Sequence, residues 1–363
     1  MKILIGSDVV PTSETEQAFI NGELRPLFGD VCDLIKNADR TVINLECALT
    51  NAEGKIKKYG PCLKADPKCA DTIKALGVTD VMLSNNHVFD FGIQGLKDTM
   101  QNLDRVGLPY TGVGENDTAS RKPYIIEQDG KKIGFINVCE HEYSYALPNR
   151  MGANPFDPFL TMQDIREAKN FCDHLIVIYH GGKEYCRYPS PRLVNLCHEM
   201  VLCGADVVIT QHSHCIGCYE NFEGGHIVYG QGNFVFCSDT DEEEGWYTAL
   251  LVELDIDKGI GISFYPIVST ATGCDLAKGE DAKKILADFA IRNEEMKNGK
   301  WRDGWHAFCT DPKRAHYHDR ILNAATTERE TQLFAHFLDC EAHTDVWREL
   351  YPTWNMTNEL SED

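Results

Sequence analysis

Two histidines separated by one residue, His212 and His214, follow directly after a run of apolar residues at 207–209. If this segment is extended, residues i and i+2 lie on one face, and the two imidazoles converge on a common ligand. Imidazole nitrogen is a frequent ligand of zinc, iron and other transition metals. Taken alone, the stretch fits two interpretations: the polar end of a strand, or a pair of metal ligands.

Polar side chains also follow four other short apolar runs in the chain. The runs at 3–5, 42–43, 81–83 and 176–178 are followed by Asp8, by Glu46, by Asn86, His87 and Asp90, and by His180 and Glu184. Each polar residue alone is also typical of a turn or a helix cap. Ligands of open α/β sheets bind at the carboxyl ends of strands, so five such strand ends favour a common site. The mixture of oxygen and nitrogen ligands is more typical of manganese, iron, zinc or cobalt than of calcium or magnesium.

These strand ends need a sheet to bring them together, and the sequence predicts one. Apolar runs alternate with amphipathic segments at 26–38, 67–77, 93–107 and 190–204, which is typical of a largely parallel α/β sheet. Apolar runs at 226–236, 247–256 and 259–268 then follow with no helix between them, which predicts an antiparallel section and a second sheet packed on the first. From residue 275 the pattern is helical. We therefore predict an α/β domain at 1–274 and a helical C-terminal appendage at 275–363.

The composition restricts the partners and the compartment. A net charge of −21 disfavours nucleic acid and anionic membranes as partners, so an anionic substrate would need local cations or bound metal. No run of about 18 apolar residues and no apolar segment of a signal peptide is present, which predicts a cytoplasmic chain. The 15 cysteines are then reduced thiols that pack as small hydrophobic side chains. Cys215 and Cys218 fit a redox pair, a third metal site or two ordinary thiols, and we favour the ordinary thiols.

The order of these motifs resembles that of the calcineurin-like metallophosphoesterases: an aspartate, an acidic bridging residue, an Asn-His pair, a single histidine and a His-x-His pair. Six stretches more specifically resemble the CapA family, which is named for bacterial capsule and poly-γ-glutamate synthesis. They are GSDVVP (6–11), NLECALT (44–50), SNNHVFDFG (84–92), HGGKEY (180–185), QHSHCIG (211–217) and YGQGNFVF (229–236). The resemblance covers roughly residues 1–270 and implies a two-sheet, metallophosphoesterase-like sandwich flanked by helices.

The resemblance also implies a pair of divalent transition-metal ions and a ligand for each position. Glu46 would bridge the two metals. The other ligands would be Asn86, His180 and His212 for one metal, and Asp8 and His214 for the second. The chain departs from the metallophosphoesterase pattern at two positions. The bridging acid is a glutamate rather than an aspartate and has a longer reach, and Asp8 is followed by two valines where that pattern has Asp-x-His. The second metal therefore loses a ligand and is expected to bind more weakly.

Three further residues receive catalytic roles from the resemblance. His87 would act as a general acid or orient the substrate, and Asp90 would fix its tautomer. Glu184 would support the metal ligands or contact the substrate.

The function implied by the resemblance is a metal-dependent hydrolase that uses one or two manganese, zinc or iron ions to activate a water molecule. Its substrate would be a small or peptide-like anion, either a phosphoester or an amide, including γ-glutamyl amides. Two alternatives stay open. The same metal and histidine arrangement could support proton abstraction in an isomerase or epimerase, or the chain could be a non-catalytic accessory protein that binds poly-γ-glutamate. The sequence does not predict the oligomeric state.

Overall fold

Two stacked β-sheets with helices on their outer faces make up the protein, as the computed structural model shows, and the predicted two-sheet α/β fold is confirmed. The structure describes residues 1–140, 143–238, 244–257, 259–314 and 316–352. Within these residues, no helix is both long enough and apolar enough to cross a bilayer.

The first sheet has eight strands, in the order β18-β17-β16-β1-β2-β5-β6, with β15 paired to the end of β1. The strands are β1 (Lys2–Val9), β2 (Arg40–Leu45), β5 (Asp80–Met82), β6 (Tyr110–Thr111), β15 (Asn233–Val235), β16 (Thr248–Asp255), β17 (Gly261–Thr270) and β18 (Gly273–Leu276). Strands β1, β2, β5 and β6 pair in parallel, so their carboxyl ends lie at one edge.

The second sheet has six strands, in the order β13-β14-β12-β11-β9-β8. They are β8 (Tyr124–Gln128), β9 (Lys131–Cys139), β11 (His174–His180), β12 (Val207–Gln211), β13 (Ile216–Phe222) and β14 (Gly225–Gln231). Strands β9, β11, β12 and β14 run parallel to one another, whereas the edge strands β8 and β13 are antiparallel to β9 and β14. Two short pairs complete the strands: β3 (Ala48–Leu49) with β4 (Lys64–Ala65), and β7 (Val113–Gly114) with β10 (Gly152–Ala153).

The facing surfaces of the two sheets form a dry core of aliphatic side chains. Ile3 and Ile5 of β1 point into this core, whereas Leu4 between them packs on the helices outside. Ile176 and Ile178 of β11 face the same core from the second sheet. The strands are buried on both faces, which explains why they appear in the sequence as continuous apolar runs.

Helices cover the outer faces of both sheets. Those before residue 203 are α1 (Glu16–Asn21), α2 (Leu24–Phe28), α3 (Val31–Lys36), α4 (Cys69–Leu76), α5 (Gly92–Val106), α6 (Asp117–Ser120), α7 (Pro158–Lys169) and α8 (Pro191–Leu202). A short 3-10 helix spans Glu244–Tyr247, and five helices follow: α9 (Gly279–Asn298), α10 (Trp301–Thr310), α11 (Tyr317–Asn323), α12 (Glu328–Asp339) and α13 (Glu341–Leu350).

The elements described after β18 are all helices, as predicted, but they begin at Gly279 rather than at residue 275, because residues 275 and 276 pair with β17 as the end of β18. They do not stand apart from the sheets. Arg292 of α9 donates from Nε to the carbonyl oxygen of Gly217, and Met296 and Trp301 belong to the core cluster outside the second sheet. The domain boundary at 274/275 stays a prediction, and residues 353–363 of the predicted appendage lie outside the described residues.

The prediction of one antiparallel section at 226–268 is only partly correct. β14 belongs to the second sheet and β15, β16 and β17 to the first, and β15 runs parallel to β1. The chain changes sheets at Gly232, where φ is +79° and a Cβ atom would lie 2.4 Å from the carbonyl oxygen of Thr248. Only glycine fits this close approach, so an uninterrupted strand cannot run through the position.

All the cysteines lie in the described part of the chain, where no disulfide forms among them and most of the thiols are buried. Burial raises the pKa of the Cys215 thiol to about 11 and that of Cys218 to about 12. Thiols with such pKa values are protonated at neutral pH and react slowly, which agrees with the interpretation of this pair as ordinary buried cysteines.

Candidate metal centre

The six predicted metal ligands meet where the carboxyl ends of the parallel strands of both sheets come together. Each has a side chain that is almost fully buried. The first sheet contributes Asp8, Glu46 and Asn86, and the second contributes His180, His212 and His214. The sheet topology therefore explains why residues from five separate stretches of sequence become neighbours.

One group of potential ligands consists of Glu46, His180 and His212, whose donor atoms lie within 4.8 Å of one another. Nε2 of His180 is 3.2 Å from Oε1 of Glu46 and 2.9 Å from Oδ1 of Asn86. This is the set of ligands predicted for the first metal. It offers two imidazoles, one carboxylate and one amide oxygen, which suits a transition-metal ion.

A second group consists of Asp8, Glu46 and His214, again with donor atoms within 4.8 Å. Oδ2 of Asp8 lies 3.7 Å from Nδ1 of His214. Glu46 is the residue that these two groups share, as a bridging ligand would have to be.

The charges at this centre favour a cation. Burial, and after it the charge of Glu46, raise the pKa of Asp8 to about 6, and burial also raises the pKa of Glu46. Burial lowers the pKa of His180 to about 4 and that of His212 well below its usual value, so both imidazoles are neutral. Burial opposes the charge of His214, but Glu46 and Asp8 outweigh it and raise its pKa.

The hydrogen bonding at the centre is incomplete in a way that a metal would satisfy. Both carboxylate oxygens of Glu46 and Nδ1 of His212 are buried and have no hydrogen-bond partner among the described residues. Buried polar atoms without partners cost free energy, and a buried unpaired carboxylate costs the most. The residues present therefore fit one or two divalent cations.

The His-x-His pair converges by a different route from the one expected. Strand β12 ends at Gln211, so His212 and His214 are not part of an extended segment. His212 has φ of +81° and His214 has φ of +54°, the left-handed region that costs a non-glycine residue free energy. This strained turn, rather than the alternation of a strand, directs both imidazoles to the centre.

Two asparagines that the sequence analysis did not single out hold the ligands in place. Nδ2 of Asn44 donates to Oδ1 of Asp8 at 2.7 Å and approaches Nδ1 of His180 at 3.3 Å. Oδ1 of Asn233 accepts a hydrogen bond from Nδ1 of His214 at 2.8 Å, which fixes the orientation of that ring. Asn44 and Asn233 lie within the motifs NLECALT and YGQGNFVF. The motifs could have predicted that these residues lie near the site, but not that they hydrogen-bond to the metal ligands.

His87 and Asp90 form the contact that the sequence analysis predicted. Nδ1 of His87 donates to Oδ2 of Asp90 at 2.6 Å, and Asp90 is fully buried. The backbone N–H of Leu63 donates to the same oxygen at 2.7 Å, and Lys58 pairs with the other oxygen at 2.5 Å. These contacts fix the ring of His87 and occupy its Nδ1. Nε2 is therefore the ring nitrogen that can contact a molecule in the cavity that His87 lines. Lys58 lies in a segment without regular structure, and no pattern in the sequence indicated it.

Glu184 was predicted to support the metal ligands or to contact the substrate, but it lies close enough to His212 and His214 to bind a metal itself. Its carboxylate forms a third group with His212 and His214, with donor atoms within 4.8 Å. Glu184 is half-buried and also lines the cavity in front of the centre. This group contains His214 but not Asp8, so Glu184 is a candidate for a further ligand beside the set predicted for the second metal.

A cavity of about 330 Å³ opens in front of the centre, and its far wall comes from the C-terminal helices. We call α11, α12 and α13 the roof helices. Their residues at this cavity, together with the link between α12 and α13, are Arg320, His336, Phe337, Cys340, Ala342 and His343. Residues 275–363 were not predicted to contribute to the site, because nothing local in the sequence shows that a helix packs over a centre more than a hundred residues away.

The two predicted metal sites should differ in affinity. The Asp8 and His214 site has fewer ligands of its own than the site of Asn86, His180 and His212, so a calorimetric Mn²⁺ titration should resolve a weak and a tight site. Asp8→Ala should remove only the weak one, whereas Asp104→Ala, at an exposed position on α5, should change neither. Two sites of equal affinity would show that Glu184 completes the weaker set.

A second prediction concerns the stability of the metal-free chain. Because the pKa of Asp8 is raised to about 6 in the folded protein, its contribution to stability is present at low pH and is lost as pH rises through that value. At pH 7 the charged group destabilises the metal-free fold by about 1–3 kcal/mol. Asp8→Asn should therefore stabilise the chelated protein at pH 7. In urea unfolding, this difference should grow between pH 4 and pH 6 and then stay constant; a difference independent of pH would contradict it.

Comparison with known proteins places this geometry in context. The model of the family described as "Bacterial capsule synthesis protein PGA_cap" matches residues 2–238. This span includes every predicted ligand together with His87, Asp90 and Glu184, and it ends before α9.

Curated relatives carry related names. A capsule biosynthesis protein CapA of Bacillus anthracis is 28% identical over 229 residues, which are 61% of this chain and 54% of that protein. A PGA biosynthesis protein CapA of Bacillus subtilis is 33% identical over 192 residues, 51% of this chain and 48% of that protein. A probable polyglutamine synthesis accessory protein of Mycobacterium tuberculosis is 27% identical over 235 residues, 60% of each. The chain thus spans about half to three fifths of the length of these relatives.

Solved structures give distant likenesses. A hypothetical protein from Thermus thermophilus has a TM-score of 0.49 and 16% identity, covering 74% of this chain and 100% of that one. A putative 5'-nucleotidase from Staphylococcus aureus in complex with alpha-ketoglutarate has a TM-score of 0.45 and 17% identity, covering 80% and 58%.

Proposed function

Since the chain belongs to the PGA_cap family of bacterial capsule synthesis proteins, we propose that it is a metal-dependent hydrolase with one or two divalent transition-metal ions at the centre between its sheets. The observation that carries this proposal is Glu46. It is fully buried, both its oxygens lack a hydrogen-bond partner in the described part of the chain, and it belongs to two groups of ligands. A buried carboxylate in this state is explained by a bridging role between cations.

The ions, when bound, would supply an activated water and stabilise negative charge that develops on the substrate. The residues of the chain have the remaining tasks. Asn44 and Asn233 hold ligands in orientation, and Asp90 holds His87 through Nδ1. His87 can then deliver a proton from Nε2 to the leaving group, which is the role of a general acid.

The substrate we propose is a small or peptide-like anion, either a phosphoester or an amide such as a γ-glutamyl bond. Lys58, Lys183 and Arg320 line the cavity in front of the centre, although the chain as a whole carries a net charge of −21. Local cations of this kind attract an anion that the rest of the surface would repel. The names of two relatives refer to capsule and PGA biosynthesis, and poly-γ-glutamate or its fragments would be an anionic, peptide-like substrate.

Metal content and turnover test the proposal together. Purified without chelator, the chain should carry between one and two transition-metal ions by elemental analysis. It should hydrolyse bis(p-nitrophenyl) phosphate or γ-glutamyl-p-nitroanilide in the presence of Mn²⁺ or Zn²⁺. His180→Ala and His212→Ala should each remove most of one equivalent, whereas His306→Ala, at an exposed position on α10, should remove none.

Two results would count against the proposal in different ways. A chain that stays metal-free after incubation with Mn²⁺ and Zn²⁺ contradicts the metal centre itself. A chain that binds metal but hydrolyses neither substrate favours a non-catalytic role, as the word "accessory" in the name of the mycobacterial relative suggests for that protein.

A further inference from the structure

The cavity in front of the metal centre continues into a second one. The second cavity has a volume of about 200 Å³ and is lined by the loop after β11 and by the C-terminal helices. Both cavities share five lining residues: Lys183, Glu184, Arg320, Phe337 and His343. Lys183 and Arg320 therefore lie where the two cavities meet, one from the loop that follows the metal ligand His180 and one from α11.

Lys183 carries a charge without a partner. It is half-buried, and no carboxylate among the described residues lies within ion-pair distance of its ammonium group. Its charge reaches the roof helices: burial first, and Lys183 after it, hold the pKa of His343 well below the usual range. A half-buried ammonium group in this position attracts an anion.

Arg320 is also incompletely paired. Its guanidinium lies over the ring of Phe337, 5.6 Å from the centroid, and its buried Nε has no hydrogen-bond partner within the residues that the structure describes. The carboxylate of Glu330 is 3.6 Å from Nη1, too long for a hydrogen bond. A planar guanidinium with unused N–H groups is suited to the two oxygens of a carboxylate or phosphate.

The other charges at the first cavity are already committed. Lys58 pairs with the buried Asp90, and Glu184 belongs to the group of ligands with His212 and His214. Lys183 and Arg320 are the remaining cations, and among the described residues that line this cavity only Glu184 has a carboxylate. The ion pair of Arg320 with Glu330 is 3.6 Å long, and Glu330 lies outside the cavity lining.

A network of buried charges holds the Lys183 loop against the roof helices. The backbone N–H of Gly182 donates to Glu140, and Glu140 also pairs with Arg192. Arg192 pairs in turn with Asp345 of α13, with Nε 2.9 Å from Oδ2, and Ser190 donates to the same carboxylate at 2.6 Å. The loop and α13 are thus fixed relative to each other, so the backbone that carries Lys183 is held in place before a ligand binds.

We propose that Lys183 and Arg320 form an anion-binding subsite, which receives a carboxylate or phosphate group of the substrate at a distance from the bond that reacts. That the bound anion is part of a substrate rests on the proposed function. The binding of an anion to Lys183 and Arg320 does not depend on it. The substrates expected from this proposal carry two anionic groups. One would bind at the metal centre and the other at Lys183 and Arg320.

Binding of two simple anions to the full chain tests the subsite. Inorganic phosphate and glutarate are titrated calorimetrically against the chelated protein, in which no metal competes for them. At least one should bind saturably, and Lys183→Ala or Arg320→Ala should weaken that binding by about 10- to 100-fold, the usual value of one charge-assisted hydrogen bond. Whichever anion binds more tightly identifies the group that the subsite receives.

Matched variants separate a lost charge from a damaged fold. Lys183→Arg and Arg320→Lys keep the charge and should keep most of the affinity, and Arg302→Ala, an exposed arginine on α10, should change nothing. Absence of binding of both anions to the chelated chain, or binding that neither alanine variant weakens, would overturn the subsite. If anions bind as expected but the Mn²⁺-loaded chain shows no turnover, the hydrolase proposal fails and the subsite stands.

Discussion

His87→Ala is expected to lower turnover by about 10²- to 10⁴-fold and to leave the metal content of the chain unchanged. The reason is that Nδ1 of His87 is held by Asp90 at 2.6 Å, whereas no group of potential ligands among the described residues includes His87. A residue that donates a proton without binding metal should affect the rate of the chemical step alone. Turnover numbers and elemental analysis of the same preparation measure both quantities.

The choice of leaving group makes this prediction sharper. A substrate whose leaving group needs no proton, such as an activated aryl ester, should lose much less activity in the variant than one with a poor leaving group. Asp90→Asn serves as a comparison, because it keeps the shape of the contact but removes the charge that orients the ring and pairs with Lys58. Loss of metal in step with activity would identify His87 as a ligand, and unchanged activity would place the chemistry elsewhere.

Glu46→Gln is expected to abolish turnover and to remove most of both metal equivalents, a larger effect than that of any other single ligand. Glu46 is shared by the two groups of ligands, and glutamine keeps its size but not its charge. Burial raises the pKa of Glu46, so the metal-free variant should be at least as stable as the metal-free parent at pH 7. Elemental analysis and unfolding in urea, both at pH 7, test these two statements.

A matched carboxylate shows whether burial alone explains the result. Glu253 is also buried, but it pairs with Lys2 at the opposite end of the first sheet. Glu253→Gln should leave metal content and turnover unchanged. If Glu46→Gln instead retains one full equivalent at unchanged affinity, Glu46 does not bridge, and the two groups of ligands are independent.

The sequence predicted the two-sheet architecture and the meeting of strand ends because both follow from local patterns. Runs of buried residues such as 3–5 and 176–178 predict strands, and parallel strands bring Asp8 and His180 to one edge. The reason for the convergence of His212 and His214 was not predictable in the same way. Their left-handed backbone is stabilised by contacts with Asp8 and Asn233, which are remote in sequence.

The rest of the site could not be predicted because it depends on packing between distant segments. Lys58 has no periodic or motif signal, and its importance appears only when its ammonium group is seen beside Asp90. The same holds for Arg320 and His343, which lie in helices whose sequence pattern records only which face is apolar. A pattern of hydrophobic residues predicts that a helix packs, but not which surface it covers.

The roof helices have a consequence for how this protein can change over evolutionary time. The predicted metal ligands all lie within residues 2–238, whereas Arg320 and its neighbours belong to a later stretch of chain. Mutations in the later stretch can therefore alter which molecules enter the cavity while the candidate metal centre is inherited unchanged. The same separation offers a route for protein engineering, since helices exchanged between relatives would change the cavity in front of the centre without altering the residues that could hold a metal.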